Sequence, residues 1–506
     1  MELFIKPLFL VGCLCIAPFC TKAQSYADVA GLFSEHQRVG TARMQGTGYG
    51  MTGLGGELSI GYTNPAANGM FNKNQIALTA GVNTISDQST FLGTANTEKA
   101  SVFNVPYFGV NFYLAPPNEE SIYKGGSFNI SFSRISDFNR QQKYSQRHGG
   151  GSIVEFFEDG AFGYTPDELP LDGYSQLAYD TYIIDDSSVL DPGFPNDRYW
   201  SPVDKDYTNP NDIRNLDQEE SIRIEGKQYA WSIGYGANLN DMFFVGANIG
   251  ITSGKYRSVK TYSESNFSFD LDPEYEPLRA FTLEEILTIR AKGINFSGGV
   301  IVRPLDVLQL GFSIQSPTYY TMNDEYDGSI ESKWNDSPDG ASKEFKQYTS
   351  IIISEYKLNT PLRMNAGAAF FIGKRGFISA DAEFVDYSSN VLKTSDFDPS
   401  EENNAIQSTY NKVVNIRAGV EIRLKQWKFR GGVQHLPSIS KDLDDQNGKD
   451  QQLFSLGLGY SMKKFFMDLA GTFGKTEASY SPHPYSEQVL SDLSYTNITG
   501  TIGLSF

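Results

Sequence analysis

Gly48, Gly50 and Gly53 stand in the spacing G-x-G-x-x-G, inside a glycine-rich run from Gly46 to Gly56. At a strand–loop–helix junction, that spacing lets a backbone wrap the pyrophosphate of a dinucleotide. Here no strand pattern precedes the run and no βαβ unit surrounds it, so the chemistry has no support. Other reactive residues are no better placed. His36, His148, His435 and His483 lack metal-ligand spacing. There is no G-x-S-x-G elbow, and Gly246, Gly250 and Gly254-Lys255 miss the spacing of a phosphate loop. Asp442, Asp444 and Asp445 do not match an EF-hand, and a solvated loop accounts for them better than bound Ca²⁺. The expectation is a chain that is not an enzyme and carries no cofactor or metal.

The ends of the chain say where it works. Lys6, the apolar run from Leu8 to Ala17 and the small Ala23 describe a secretory signal peptide over 1–23. Leu10-Val-Gly-Cys13 leaves a lipoprotein cut as the alternative. The three cysteines, Cys13, Cys15 and Cys20, all lie in this segment, so the mature chain is expected to hold no thiol, disulfide or cysteine metal site. No later apolar run is long enough for a transmembrane helix. A net charge of −18 argues against nucleic acid as a partner. The charge is concentrated, because residues 151–220 carry 17 acidic and 3 basic side chains.

Beyond residue 75 the pattern turns to period two. Ile498, Gly500, Ile502, Leu504 and Phe506 alternate with Asn497, Thr499, Thr501, Gly503 and Ser505. Fourteen such segments can be counted: 75–85, 101–114, 126–138, 221–239, 242–262, 287–303, 306–324, 346–373, 376–393, 409–425, 427–436, 451–462, 464–480 and 492–506. Links after even-numbered segments are short, as at Asn240-Asp241 and Lys425-Gln426, whereas those after odd-numbered ones are longer, up to the acidic stretch 139–220. This asymmetry is that of an outer-membrane barrel with short periplasmic turns. In lipid every backbone donor and acceptor must pair internally, which an edgeless barrel achieves. The expected fold is all-β, a 14-stranded antiparallel transmembrane β-barrel over 75–506, and the terminal Phe506 suits the barrel-insertion machinery.

Strand parity turns Arg363, Asp381, Glu383, Arg417, Glu421, Arg423, Lys428 and Arg430 inward, because a charge facing lipid costs about 2–4 kcal/mol near the midplane. Arg363 and Arg417 are candidates for holding a substrate carboxylate, or else belong to a paired network that pins an internal segment. Between Phe281 and Arg290, Leu283, Ile286 and Leu287 share a helical face, with Ile289 nearby and Thr282 as N-cap, Glu285 three residues on. A helix here at the barrel mouth either receives lipid through Phe281, Leu283, Ile286, Leu287 and Ile289 or packs on neighbouring loops.

Residues 24–74 are glycine-rich and lack alternation. Phe33-Ser34, Gly40-Thr-Ala42-Arg43, the Gly/Ala-rich run and Asn64-Pro65-Ala66 just before the first strand resemble the N-terminal region of FadL/TodX-type transporters. The resemblance extends over most of the mature chain and implies that 24–74 is a hatch, or plug, folded in the lumen. Phe33, Gly48, Gly50, Gly53, Asn64, Pro65 and Ala66 would be its gating residues. It implies passive uptake of hydrophobic small molecules, typically long-chain fatty acids, across the Gram-negative outer membrane, with outer-membrane lipid around the wall. Release would follow hatch movement and a sideways opening. The long acidic loop, with Phe156, Phe157, Phe162, Tyr164, Tyr174, Tyr179, Tyr182, Tyr199 and Trp200, departs from the family pattern. It offers a capture surface for a different ligand or a docking surface for a protein. The alternative function is a protein-interaction barrel of the same family, such as a shuttle for a secreted protein in type IX secretion.

Overall fold

In the last strand, Val489–Ser505, Asn497, Thr499 and Thr501 are at most 1% exposed, whereas Ile498, Ile502 and Leu504 are 49–50% exposed. A soluble sheet does the opposite. The polar face is turned in and the apolar face out, as a bilayer requires. The same inversion recurs around the molecule, with Leu78, Ile251, Phe296, Phe312, Ile416 and Leu469 among the exposed apolar side chains.

The computed structural model describes residues 25–37, 40–118, 120–170, 173–187, 198–203, 214–269, 278–441 and 449–506. The expected signal peptide and Asp442, Asp444 and Asp445 lie outside the described residues. The wall is a 14-stranded antiparallel barrel. Its strands are β1 (Gln75–Phe91), β2 (Thr94–Leu114), β3 (Tyr123–Asp137 and Arg140–His148), β4 (Arg214–Leu239), β5 (Phe243–Phe269), β6 (Leu278–Leu305) and β7 (Leu308–Gln315 and Tyr319–Trp334). There follow β8 (Glu344–Tyr348, Ile352–Asn359 and Arg363–Phe371), β9 (Gly376–Asp386 and Val391–Lys393), β10 (Lys412–Leu424), β11 (Trp427–Leu436), β12 (Gln451–Ser461), β13 (Phe465–Tyr480) and β14 (Val489–Ser505). β1 closes on β14 from Gln75↔Ser505 to Thr90↔Leu490.

The turns at the end holding Asn74 and Phe506 are short, and the one at Asn240-Asp241 has the twist a hairpin needs. Asn240 and Asp241 both take positive φ, 59° and 55°, as a two-residue type I′ turn requires. Aromatic side chains collect at this end, with Trp427 and Tyr460 in contact at 4.9 Å and Phe506 exposed. Such a girdle marks a membrane interface.

Two sequence expectations are corrected at the opposite end, which is the outer one in bacterial barrels. The link between the first two strands is not a long loop. β1 and β2 pair from Gln75↔Asn111 to Phe91↔Thr94 around the turn Leu92-Gly93, with φ 48° and 84°. Above the apolar belt the outward side chains are Ser86, Gln88, Thr97 and Lys99, so the hairpin stands in water and carries no apolar face to betray it. The second correction concerns Phe281, Leu283, Ile286, Leu287 and Ile289. They lie in β6, paired with β5 from Phe281↔Glu264 to Ile289↔Tyr256, and there is no helix. Inward Phe281, Leu283, Leu287 and Ile289 alternate as well as a helical face would, and pairing to two long neighbours decides for strand.

The strand lengths make the barrel uneven. β4, β5 and β6 run for 26, 27 and 28 residues, whereas β10, β11 and β12 have 13, 10 and 11. The tall side carries the acidic loop.

Candidate functional site

The lumen is occupied by the segment that precedes β1. It begins with α1 (Tyr26–Ser34), closed at its start by a capping box between Ser25 and Asp28. Its buried face, Ala27, Val29, Ala30 and Phe33, fills the upper lumen against Tyr256, Ile289, Tyr320, Tyr356 and Tyr410. Phe33 meets Phe138 at 5.5 Å and Tyr320 at 6.2 Å. At the far end of α1, the Ser34 hydroxyl donates to Asn390 Oδ1 at 2.6 Å, and the Ser34 carbonyl accepts from Arg363. A loop helix, residues Ser400–Thr409, braces α1 from outside through Ile406.

Lower down, α2 (Ala42–Gly46) and two 3-10 turns lie against the inward faces of the strands. Ala42 donates its N–H to Thr501 Oγ1 at 2.7 Å, and Gln45 Oε1 accepts from Asn497 and Thr499 at 2.9 and 3.1 Å. Thr52 donates its N–H to Asp381 at 2.7 Å. Asn64 caps the turn Pro65–Met70 and donates to the Thr52 carbonyl at 2.8 Å. Asn64, Pro65 and Ala66 are buried, and Pro65 and Asn64 sit over Gly246 and Gly299 of the wall.

The glycines of the opening motif differ in what holds them. Gly48 has φ +60° and its added Cβ would stand 2.8 Å from the Val433 nitrogen, so both backbone shape and space demand glycine. At Gly53 the added carbon would lie 3.0 Å from the Gly367 carbonyl oxygen. At Gly50 the nearest atoms are 3.5 Å away, an ordinary contact that leaves room for alanine. Sequence reasoning missed the counterpart in the wall. Gly236, Gly246, Gly311, Gly419 and Gly432 point inward at the level of this segment and touch its backbone, and Gly299 meets the Asn64 side chain. The signal was present as glycine at inward parity in several strands, but it could not be recognised without the neighbouring segment in place.

Of the eight charges expected inward, Arg363, Glu383, Arg417, Glu421, Arg423 and Arg430 are ion-paired. Glu383 accepts from Arg363 at 3.3 Å and Arg417 at 2.9 Å. Glu421 accepts from Arg43, Arg423 and Arg430 at 3.0, 2.8 and 2.7 Å, and Arg430 also meets Asp468 at 2.6 Å. Arg43 belongs to the lumenal segment, so one ion pair ties it to the wall. Arg363 and Arg417 thus share Glu383, and Arg363 additionally holds the end of α1. The space left beside Arg363, Glu383, His36 and Tyr62 is about 30 Å³, room for about one water.

Among the described residues, the acidic loop packs over the tall side of the mouth. From the acidic loop, α3 (Val154–Ala161) and α4 (Tyr174–Asp180), numbered here before the later loop helix, pack on Phe267, Leu278, Phe281, Leu283, Ile330 and Trp334. Phe157 and Tyr199 are buried in this cluster, and Phe156, Tyr174, Tyr179 and Tyr182 pack against it. Most of the loop's aromatics therefore face down and form a lid, while Phe162 and Tyr164 remain exposed. Burial, then repulsion from Glu155, raises the Asp159 carboxyl above its usual range, and burial raises Asp185. An acid raised by packing binds its proton more readily in the packed lid than in the open one. Packing is therefore favoured at acid pH, and that preference is lost as pH rises through the raised values. Hydrogen exchange at α3 and α4, corrected for intrinsic rates, should be slower at about pH 4.5 than at about pH 7.5. Equal protection would contradict this.

No protein-family model matches the chain, and no curated protein matches it. Among solved structures it is similar to a Pseudomonas aeruginosa FadL homologue, with a TM-score of 0.56 and 12% identity over 93% of this chain and 99% of that one. It is also similar to the P. putida toluene transporter TodX, with a TM-score of 0.50 and 12% identity over 92% and 98% of the two chains. At these identities the likeness shows a shared fold.

Proposed function

We propose that the protein is a passive channel that admits hydrophobic small molecules, long-chain fatty acids among them, across a Gram-negative outer membrane. On this reading residues 1–23 are a cleaved export signal and 24–74 are the hatch of the barrel 75–506. The observation that carries it is a lumen filled by the segment before β1, whose backbone rests on wall glycines and whose bonds to the wall are single hydrogen bonds and an ion pair, with no strand pairing to it. Such a contact can be released as a unit. The barrel fold shared with a FadL homologue and with a protein named as a toluene transporter supports the same reading.

Solute would pass the lid over Phe281 and Leu283, then take the apolar space of α1 beside Leu287 and Ile289, whereas Ile286, on the outward face of β6, takes no part. Arg363 and Arg417, through Glu383, set how firmly the end of α1 is held. Phe33 leaves with the helix. Gly48, Gly50, Gly53, Asn64, Pro65 and Ala66 are the contacts over which the hatch slides. The exit lies where β2 and β3 stop pairing, above Tyr107↔Ser133. No energy source and no covalent step enter.

The test is uptake of labelled palmitate by cells whose own fatty-acid channel is deleted, with and without this chain. Faster uptake with the chain supports the channel. No uptake, together with co-purification of a secreted protein, would replace it with the protein-docking alternative.

A further inference from the structure

One arc of the outer wall sets cation beside cation just above the apolar belt. Lys227 of β4 stands directly opposite Lys255 of β5, and Lys255 directly opposite Arg290 of β6. In the adjoining row Lys292 of β6 faces Thr321 of β7, Thr321 faces Lys357 of β8, and Lys357 faces Lys393 of β9. All six cations fall on the outward count, because Gln228, Tyr256, Ala291, Tyr356 and Leu392 next to them are buried. The following outward residues toward the bilayer are Tyr229 and Trp231 on β4, Ile251 on β5, Ile294 on β6 and Val391 on β9. Trp231, Ile251, Ile294 and Val391 are exposed. The cations therefore lie where hydrocarbon gives way to headgroups.

Like charges directly opposite in an antiparallel pair are destabilising. Here they occur at Lys227↔Lys255, Lys255↔Arg290 and Lys357↔Lys393, in a chain whose net charge is −18. The wall supplies little counter-charge. Arg290 is matched by Glu325 at 3.1 Å, but among the described residues no carboxylate lies within ion-pair distance of Lys227, Lys255, Lys292, Lys357 or Lys393. Asp137, opposite Lys227 on β3, pairs with Arg134 instead, and Glu225 pairs with Arg223. Across the barrel the arrangement is different: the outward upper ends of β13 and β14 mix Lys475 with Glu477 and Asp492.

We infer that this arc binds the phosphates of an anionic glycolipid in the outer leaflet, with Lys227 and Lys255 closing on one phosphate and Lys357 and Lys393 on another. Neighbouring strands lie about 4.7–4.9 Å apart, so both ammonium groups of an opposed pair can reach a single phosphate. Lysine suits this task, as a compact charge with three rotatable donors on a stem that lies along apolar surface. A phosphate between two ammonium groups removes the repulsion that the pairing creates. Charge complementarity of this kind is how basic residues beside a membrane hold anionic lipid. A lipid fits better than a free anion, because its acyl chains would lie on Trp231, Ile251 and Ile294 directly below. The site needs this end of the barrel to face outward, as the channel reading also requires, but it takes no part in solute passage.

The experiment titrates diphosphoryl lipid A into the detergent-solubilised full chain and reads bound lipid by native mass spectrometry, with the same lipid stripped of its phosphates as comparison. The unaltered chain should hold the diphosphoryl form about tenfold more tightly. K227Q with K255Q should weaken that binding about tenfold, and K357Q with K393Q likewise. K374Q with K463Q, which removes two exposed lysines from turns at the opposite end, should change it by less than about twofold. Heat-modifiable gel mobility reads folding, and if a double variant does not fold, K255Q or K357Q alone must weaken binding. Equal binding of the two lipids, unchanged affinity in either lysine pair, or full displacement of the lipid by millimolar inorganic phosphate would overturn the site. None of these outcomes reads uptake, so the channel reading stands or falls separately.

Discussion

Replacing Glu421 by alanine is expected to destabilise the barrel by about 3–5 kcal/mol, the scale for breaking a buried ion pair from one side. Glu421 has a fully buried side chain and accepts from three arginines, Arg43, Arg423 and Arg430. Removing it leaves those cations around Asp468, which reaches only Arg430 at 2.6 Å. Urea titration of the protein folded in lipid vesicles would measure the loss, and a change under about 1 kcal/mol would contradict the network's importance. R43Q separates the lumenal segment from the wall, because it keeps Glu421 matched by two arginines. Loss of one charge-assisted bond is worth about 1.5–3 kcal/mol, so on the proposed reading the population with the lumenal segment released should rise about tenfold to a hundredfold. Single-channel recording would show this as more frequent openings.

The second large effect is expected at the wall glycines. In G419V the new Cβ would lie 2.2 Å from the Thr47 carbonyl oxygen. Both neighbours are backbone, one in a barrel strand, so no side chain can swing aside. Overpacking of this kind costs about 1–3 kcal/mol or more, and the lumenal segment, which is not paired into the sheet, is the weaker partner. The barrel should still form, and trypsin should cut after Arg43, which is largely buried otherwise. G431A is the control. Gly431 lies on the same pair of strands facing outward, with its nearest contact 3.6 Å away at Val420, and should change stability by no more than about 0.5 kcal/mol. A G419V protein as resistant to trypsin as the unaltered chain would show that the seat tolerates bulk.

How far the sequence reached follows from what each signal measures. Inward and outward faces were legible because lipid penalises charge, and Arg363, Glu383, Arg417 and Glu421 are all turned in as parity required. Alternation fails where neither face meets lipid, which is why the top of the β1–β2 hairpin was read as a loop. At Phe281–Ile289 two periods fit the same apolar residues, and Glu285 on the inward face disguised the strand. Its carboxylate is held by Tyr174 of the lid and by Tyr326, partners 111 and 41 residues away in sequence. The lid itself was unreadable for the same reason: Phe157 and Tyr199 look like a sticky surface until Phe267, Phe281 and Trp334 are placed beneath them.

The central claim is that the segment filling the lumen must move for solute to pass. Ser34 and Asn390 touch at 2.6 Å across the boundary between α1 and the wall, and cysteine is absent beyond Cys20. S34C with N390C can therefore be joined, by a disulfide or by a short reducible cross-linker between the two thiols, with no cysteine beyond Cys20 to compete. Palmitate uptake should stop in the oxidised protein and return on reduction, with each single variant unaffected by either treatment. Undiminished uptake through the oxidised, fully cross-linked barrel would contradict the account.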